Sequence, residues 1–483
     1  MMRATGLAWA ELMLLWAALG ATACPATETT EGPTESAGHR INLDLRVRGD
    51  LFATAAAGAE PVRRPITLDA RFEFLEQPAA DAEGKAVARR YSSARADIET
   101  DDHRATQRLA ADARDVLFHL EGTTPRPYLA DGFLARDEAE LLDVPFDPLL
   151  LDGLRPDRPV ANGDSWKVPG DLAAGLLAID TVESGGIEAT LAQVDEGLAT
   201  VKLEGTVVGA ADGVPTRIQV TGQANAHAAI AASVSDDDEV WRIDGPVTAI
   251  EATVSERREP GWIAPGLDVE ATIRIVRSPA MPPDESLAAT ATEPTPAADG
   301  LAPPEADRPA GQGRPGMVWH RHRQGRYASV LDARWRVVED GPEGLVLRLS
   351  DRGRLVAQCS ILPLPRVAAE AAPSEETVRA DVRRSLGEQF GLLAESESAT
   401  RDDGTRLVRV VAEGAADGRA FRWIHYVLTD PAGHRVAVTF MHEPALIERF
   451  AAADRELVAG LVVLPDAAPR QAATPAAPAA GLR

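Results

Sequence analysis

Two histidines at alternating positions, His320 and His322, have a spacing that suits metal chemistry in this 483-residue sequence. On a strand, residues i and i+2 share one face, so both imidazoles would point the same way. Arginines follow both histidines and would repel a cation, and no carboxylate adjoins the pair, so we predict a solvated strand entrance here. His442-Glu443 does not extend to an H-E-x-x-H motif, because Leu446 stands where the second histidine belongs.

A run of four acidic residues, Asp236-Asp237-Asp238-Glu239, offers carboxylate ligands for calcium. A dedicated calcium loop needs ligands at alternating positions and a glycine at its sharp turn, and the run has neither. We therefore predict an acidic hairpin tip. Because the chain also lacks a G-x-x-x-x-G-K phosphate loop and a strand-turn-helix G-x-G-x-x-G, we expect no metal and no cofactor.

A nucleophile is a third chemical possibility, at Ser165 in the triplet Gly163-Asp164-Ser165. Some esterases carry a catalytic serine in such a triplet after the first strand of a parallel sheet, and a later Asp-x-x-His pair completes the site. This chain contains no Asp-x-x-His, and the pattern around the triplet is antiparallel. Capping or turn formation explains Ser165 better, so the sequence predicts that the protein is not an enzyme.

Residues 1–23 have the layout of a secretory signal peptide, with a short basic head at Arg3 and a mostly apolar stretch over 7–19. Small residues then lead to Cys24, in a pattern that resembles the lipobox of bacterial lipoproteins. The resemblance implies that Cys24 is diacylated and becomes the new N-terminus, although Ala21 stands where that family usually has leucine. The alternative is a plain signal peptide, cleaved at the same small residues, with Cys24 incidental.

Residues 24–40 are rich in Thr, Glu, Pro and Gly and have no apolar face, which is typical of a flexible tether. A lipid and a tether hold a folded body at a membrane surface without inserting it. We therefore expect the cell envelope, on the periplasmic or outer-surface side, as the location, and the membrane as a partner through Cys24. With Cys24 lipidated, Cys359 has no disulfide partner, and its strand-like surroundings predict a buried structural thiol.

Acidic residues outnumber basic ones by 74 to 50, which gives a formal charge of −24. This excess excludes a general nucleic-acid binder, because duplex binding depends on Lys and Arg that neutralise phosphates. The charge is unevenly distributed: a first region, residues 41–278, holds 42 acidic and 24 basic side chains, whereas a second region, residues 316–465, holds 21 and 20. The nearly neutral second region is therefore the better candidate for contact with a protein.

The two regions are separated by residues 279–315, a Pro/Ala-rich stretch without apolar periodicity that predicts a semi-extended linker. Residues 466–483 have a similar composition and are predicted to be a disordered tail. In the first region, residues 41–48 and 66–74 alternate strictly between apolar and polar, which is typical of antiparallel sheets. We expect a β-rich domain built on a large curved antiparallel sheet or a partial barrel.

Within the first region, a hairpin is predicted over 187–208, and short helices over 136–144 and 171–179. The second region mixes seven predicted strands with helices over 374–390 and 445–460. This element order predicts an α/β sandwich in the second region, and hence the α+β class for the chain.

Four runs of the second region and its closing helix together resemble the PsbP-like fold, and specifically its bacterial lipoprotein members. The runs are Val330–Trp335, Leu355–Cys359, Phe421–Leu428 and Gly433–Glu443. The resemblance covers residues 316–465 and implies a non-catalytic docking or binding module. In the first region, residues 156–166 look like the P-x-x-P-V-x-x-G-D-S-W signature of β-rich envelope lipoproteins of unknown activity. That signature implies a location but no reaction.

These patterns lead to three hypotheses about function. The first is a non-enzymatic, membrane-anchored envelope lipoprotein that serves as a binding or docking scaffold for an envelope protein. The alternative is a lipid or lipoprotein carrier with a cavity in the curved sheet of the first region. The third and weakest is a hydrolase that uses Ser165.

Overall fold

The computed structural model describes residues 38–53, 62–79, 86–101, 103–233, 239–259, 266–280, 308–368 and 371–465, all within one compact unit that begins at Ala37. Strand accounts for 62% and helix for 14% of the structure. The fold class is therefore mostly β, and the predicted α+β class with a C-terminal α/β sandwich of PsbP-like type is wrong. The helices are too short and too few to form a layer equal to the sheets.

The strands that precede residue 280 are β1 (His39–Ala53), β2 (Val62–Pro78), β3 (Ala86–Thr100), β4 (Arg104–Arg108), β5 (Asp115–Glu121), β6 (Thr124–Tyr128), β7 (Leu134–Ala135), β8 (Val160–Ala161), β9 (Ser165–Lys167), β10 (Thr181–Asp195), β11 (Leu198–Ala211), β12 (Val214–His227), β13 (Ala229–Ser233), β14 (Glu239–Arg242), β15 (Val247–Arg258) and β16 (Gly266–Pro279). Twelve form one sheet in the order β6-β5-β3-β2-β1-β16-β15-β12-β11-β10-β9, with β4 paired to β3. All neighbours in this large sheet are antiparallel, as the alternating sequence predicted. The predicted hairpin over 187–208 is confirmed as β10 and β11.

The large sheet buries one face, which carries Ile41 and Leu43 of β1 and Phe72 of β2. Residues 142–154, which we call the capping segment, pack against this inner face through Phe146 and other apolar side chains. Polar contacts fix the segment in place, since Arg277 of β16 donates to the Pro148 carbonyl oxygen at 2.6 Å. A space of about 10 Å³ remains beside Leu43 and Phe72, so the capping segment packs closely against this part of the inner face.

The later strands are β17 (Met317–Arg321), β18 (Tyr327–Asp332), β19 (Trp335–Gly341), β20 (Gly344–Asp351), β21 (Arg354–Leu364), β22 (Phe390–Thr400), β23 (Arg406–Ala416), β24 (Arg419–Thr429), β25 (Arg435–His442) and β26 (Leu461–Val463). Seven of them form an antiparallel sheet in the order β19-β20-β21-β25-β24-β23-β22.

The helices are α1 (Arg136–Leu141), α2 (Gly170–Leu176), α3 (Glu375–Leu386), α4 (Ile447–Phe450) and α5 (Ala453–Ala459). The short helices predicted near residues 136 and 171 are confirmed as α1 and α2. The helix predicted from Ser374 is confirmed as α3, whose cap is the Ser374 hydroxyl accepting the Thr377 N–H at 3.2 Å. The single helix predicted over 445–460 is wrong, because the backbone breaks at Ala451, where φ is +47°. In the ranges that the structure covers, no helix is long and apolar enough to cross a bilayer.

The two regions are joined by backbone hydrogen bonds between two strands and by ion pairs. Strand β7 of the first region pairs in parallel with β17 of the second, at the edge of a sheet ordered β26-β18-β17-β7. Arg308, in the stretch predicted as linker, donates to both carboxylate oxygens of Glu138 at 2.7 Å and to Asp112 at 2.8 Å. Residues next to β17 are therefore held against the first region.

Candidate functional site

A cavity of about 270 Å³ lies where the first and second regions meet, and we call it the junction cleft. The first region lines it with the β5–β6 hairpin, with α1 and with the end of α2. The second region contributes the turn between β18 and β19 and the turn between β20 and β21. Binding sites occur preferentially where separate parts of a fold meet, so the junction cleft is the candidate site.

Charged side chains of both signs line the junction cleft. Its arginines are Arg126, Arg136, Arg334, Arg336 and Arg352, and its carboxylates are Glu140, Asp143, Asp147, Asp180, Asp212 and Asp351. Among the described residues that line the cleft there is no histidine or cysteine. The cleft therefore offers hydrogen bonds and charge, which are the means of binding a polar ligand.

Arg336 connects the two regions across the cleft. Its Nη2 donates to Asp143 Oδ2 at 3.2 Å, and its Nε lies 3.0 Å from Asp212 Oδ1. Burial alone would lower the pKa of Arg336, but Asp143 and Asp212 raise this pKa above its ordinary value. Arg336 is therefore a neutralised cation that holds the second region to two separate loops of the first.

Arg136 is the deeply buried arginine of the cleft, with 7% of its side chain exposed. It begins α1 directly after β7, so the pairing of β7 with β17 brings it against the second region. Its Nε donates to Glu140 Oε1 at 2.7 Å, and its Nη1 donates to the Trp335 carbonyl oxygen. Its Nη2 is buried and has no partner in the part of the chain that the structure describes. Burial lowers the pKa of Arg136, which reflects this incomplete solvation.

Three more polar groups line the cleft. The Ser350 hydroxyl is buried and has no partner among the described residues. Arg352, at the exposed tip of the β20–β21 turn, has no ion pair to any described side chain. Asp180 accepts the Gly213 N–H at 2.7 Å, and burial raises the pKa of its carboxyl group.

The triplet at Ser165 forms a turn that holds the capping segment. The Ser165 hydroxyl is 2.8 Å from the Thr190 hydroxyl, and Asp164 accepts the Ala161 N–H at 3.1 Å. Trp166 donates its indole N–H to the Leu154 carbonyl oxygen at 3.0 Å, at the end of the capping segment. Asp164 therefore closes the turn, whereas the predicted capping or turn role of Ser165 is wrong, because Ser165 begins β9 and bonds to Thr190 of the paired strand β10.

The two histidines after the linker are buried, so the predicted solvated strand entrance is wrong. His320 is 7% exposed and His322 is 1% exposed, and the His322 ring stacks on Tyr327 with centroids 4.7 Å apart. Burial lowers the pKa of His320. Within the described ranges, no three His, Cys, Asp or Glu side chains are grouped as a metal site.

The predictions for the two cysteines and for the acidic run differ in how far the structure tests them. Cys359 is confirmed as a buried free thiol, and burial raises its pKa well above the ordinary value. Cys24, the predicted lipidation site, lies outside the described residues, as do Asp236, Asp237 and Asp238 of the acidic run.

A buried ionic network beneath the capping segment was not predicted from the sequence. Arg89 of β3 donates to Glu76 at 2.9 Å and to Asp147 of the capping segment at 2.9 Å. Its guanidinium also lies 4.8 Å from the ring centre of Phe74 and 4.2 Å from that of Phe118. The partners stand 13 and 58 residues from Arg89 in the chain, so no local spacing signals the network.

No family model matches this chain, and no curated protein matches it. Similar solved structures include the solution structure of cyanobacterial PsbP from Synechocystis sp. PCC 6803, at 12% identity and a TM-score of 0.26, over 31% of this chain and 92% of that one. A Pseudomonas aeruginosa protein of unknown function is similar at 16% identity and a TM-score of 0.23, over 31% of this chain and 98% of that one. Lipovitellin is similar at 5% identity and a TM-score of 0.27, over 52% of this chain and 26% of that one.

Proposed function

We propose that this protein is a non-enzymatic docking scaffold of the bacterial cell envelope. A lipid on Cys24 anchors it to a membrane, and the second region is presented to an envelope protein partner. The proposal rests on the sequence features of the N-terminus and on the way in which the two regions are joined.

The observation that carries the proposal is the union of the two regions into one body. Strand β7 pairs with β17, and Arg336 bonds to Asp143 and Asp212 across the junction. Such a connection suits a scaffold, because the second region then keeps one orientation relative to the anchored first region. Residues 24–38 span at most about 50 Å when fully extended, which keeps the body close to the membrane.

Charge and packing favour a scaffold over a carrier. The first region has a net charge of −18, so anionic lipid repels it and the body projects from the membrane instead of lying on it. The inner face of the large sheet, which a carrier would leave open, is packed by the capping segment.

The anchor is tested by mass spectrometry of the mature N-terminus and by membrane fractionation. We expect a diacylated residue 24 in the native protein and release of Cys24→Ser from the membrane fraction. An unmodified residue 24 would refute the anchor.

The docking surface is tested by cross-linking in envelope preparations with two matched variants. Leu362 of the second region is 42% exposed, and Val62 of the first region is 51% exposed. We expect Leu362→Glu to weaken a specific cross-link that Val62→Glu leaves unchanged. The reverse result would assign docking to the first region and contradict the proposal.

A further inference from the structure

We infer that the junction cleft binds a small zwitterionic molecule, of the size of a free amino acid or a dipeptide, whose carboxylate is held by Arg136 and Arg352. This binding site is separate from the proposed docking function. It requires neither the lipid on Cys24 nor a protein partner.

Arg136 has a buried hydrogen-bond donor without a partner among the described residues. Its Nε and Nη1 are bonded to Glu140 and Trp335, but the buried Nη2 has no acceptor among the described residues. Buried polar groups are almost always paired, and an unpaired one calls for a water, an ion or a ligand. A carboxylate is the best acceptor for a guanidinium, because the two groups match in geometry and in charge.

A second donor group faces the same cavity from the other region. Arg352 lines the cleft and has no ion pair to a described side chain, and the neighbouring Ser350 hydroxyl is buried without a partner. The turn that carries them packs closely against the first region, because a Cβ on Gly353 would lie 2.7 Å from Ala210 Cβ. Arg136 of the first region and Arg352 of the second therefore place cationic groups on both sides of one cleft.

Negative charge on the same lining selects a ligand that also carries a cation. Asp180 and Asp212 line the cleft, and Asp212 is already paired with Arg336 at 3.0 Å. Burial raises the pKa of Asp180, so an ammonium group beside this carboxylate would stabilise its charged form. The volume of about 270 Å³ corresponds to roughly nine water molecules at about 30 Å³ each, which suits an amino acid or a dipeptide.

The test uses the full mature chain in thermal-shift and calorimetric titrations with the free L-amino acids and glycyl dipeptides. For each compound that binds, the matched amine without the carboxylate and the N-acetylated form are titrated as well. We expect at least one zwitterion to bind, the amine to fail and the acetylated form to bind more weakly. If no zwitterion binds, the cleft holds ordered water only and the inference is wrong. An amine that binds as tightly as its zwitterion would also overturn it.

Two arginines on the same hairpin provide a matched pair of variants. Arg352 lines the cleft, whereas Arg354, two residues further on, is exposed and does not. We expect Arg352→Ala to weaken binding about tenfold or more, because it removes a charge-assisted hydrogen bond, and Arg354→Ala to leave binding unchanged. Arg136→Met should abolish binding. Because that buried substitution can also impair folding, equal binding by Arg352→Ala and the native chain is the result that counts against the inference.

Discussion

Two buried arginines, one under the capping segment and one at the junction, differ in whether their hydrogen-bond donors all have partners. Arg89 bonds to Glu76 and Asp147 and is enclosed by two aromatic rings, all within the first region. Arg136 bonds to Glu140 and to the Trp335 carbonyl oxygen, and its Nη2 is left without a partner among the described residues. Similar burial therefore serves two purposes: the first arginine holds a fold together, and the second leaves capacity for a ligand.

Asp147 makes the contrast sharper, because it bonds to Arg89 and also lines the junction cleft. The ionic network around Arg89 thus forms part of the wall of the junction cleft. A rigid wall is what a small binding site needs, since side chains that are locked by their neighbours lose less entropy when a ligand binds. The stability of the first region and binding at the junction are expected to be linked through this residue.

The largest effect is expected from Arg89→Met, which tests the satisfied side of the comparison. The substitution leaves Glu76 and Asp147 buried without their shared counter-charge, and breaking a buried pair in this way costs about 3–5 kcal/mol. Urea denaturation of the full chain measures the loss. The neighbouring residue provides the control: Arg90 pairs with Asp115 on the surface, with side chains 75% and 70% exposed. Arg90→Met should cost at most about 1 kcal/mol, and equal losses would contradict a structural role for the network.

The next effect tests how tightly the two regions are pressed together. Gly353 at the junction and Gly418 on an open hairpin have φ values of +72° and +76°. An added Cβ would lie 2.7 Å from Ala210 Cβ at Gly353, but would meet nothing within 4 Å at Gly418. Both Gly→Ala variants lose about 1 kcal/mol to the left-handed conformation, and Gly353→Ala should lose about 1–2 kcal/mol more from overpacking. Equal free energies of unfolding for the two variants would mean that the atoms around Gly353 move at little cost to accommodate the added Cβ.

A third effect comes from a buried imidazole in the second region. His425 Nδ1 lies 3.1 Å from the Thr439 hydroxyl, and burial lowers the pKa of His425 from 6.5 to about 4. Below about pH 6.5 the unfolded chain binds a proton at His425 that the folded chain does not bind. The free energy of unfolding is therefore unaffected by this group above pH 6.5 and falls as the pH decreases toward 4. We expect His425→Gln to remove most of this acid-induced loss of stability. Identical pH dependences of unfolding in both proteins would show that the imidazole is not the cause.

The strands were predictable from the sequence because each carries its own signal. In β1, Ile41, Leu43 and Leu45 are buried and the residues between them are not, and this period of two can be read without knowing the partner strands. The same holds for α3, where Ser374 marks the start. The predicted class was wrong because the helices are few and short beside strands that account for 62% of the structure. The predicted helix over 445–460 was wrong because the backbone breaks at Ala451, which no local residue choice reveals.

The junction cleft was not predictable in the same way, because its residues come from distant parts of the chain. Arg136 meets the carbonyl oxygen of Trp335, 199 residues away, and Arg336 meets Asp143, 193 residues away. Residues 308–315 have the composition of a linker, yet Arg308 donates to both carboxylate oxygens of Glu138, 170 residues away in the chain. A short parallel pairing such as β7 with β17 involves two residues on each strand, which is too little for a periodic signal.

The smallest effect is expected from Arg136→Met. This is the same change as Arg89→Met, made at the arginine that has an unpaired donor. Glu140 is 43% exposed, so water replaces the lost guanidinium there, and one buried hydrogen bond to the Trp335 carbonyl oxygen is the main loss. Removing the unpaired Nη2 offsets part of that loss, which leaves about 1 kcal/mol in urea denaturation without ligand. A loss as large as that of Arg89→Met would mean that Arg136 is a structural ion like Arg89. A small loss would mean that the burial of Arg136 contributes little to folding, as expected of an arginine whose free donor serves a ligand.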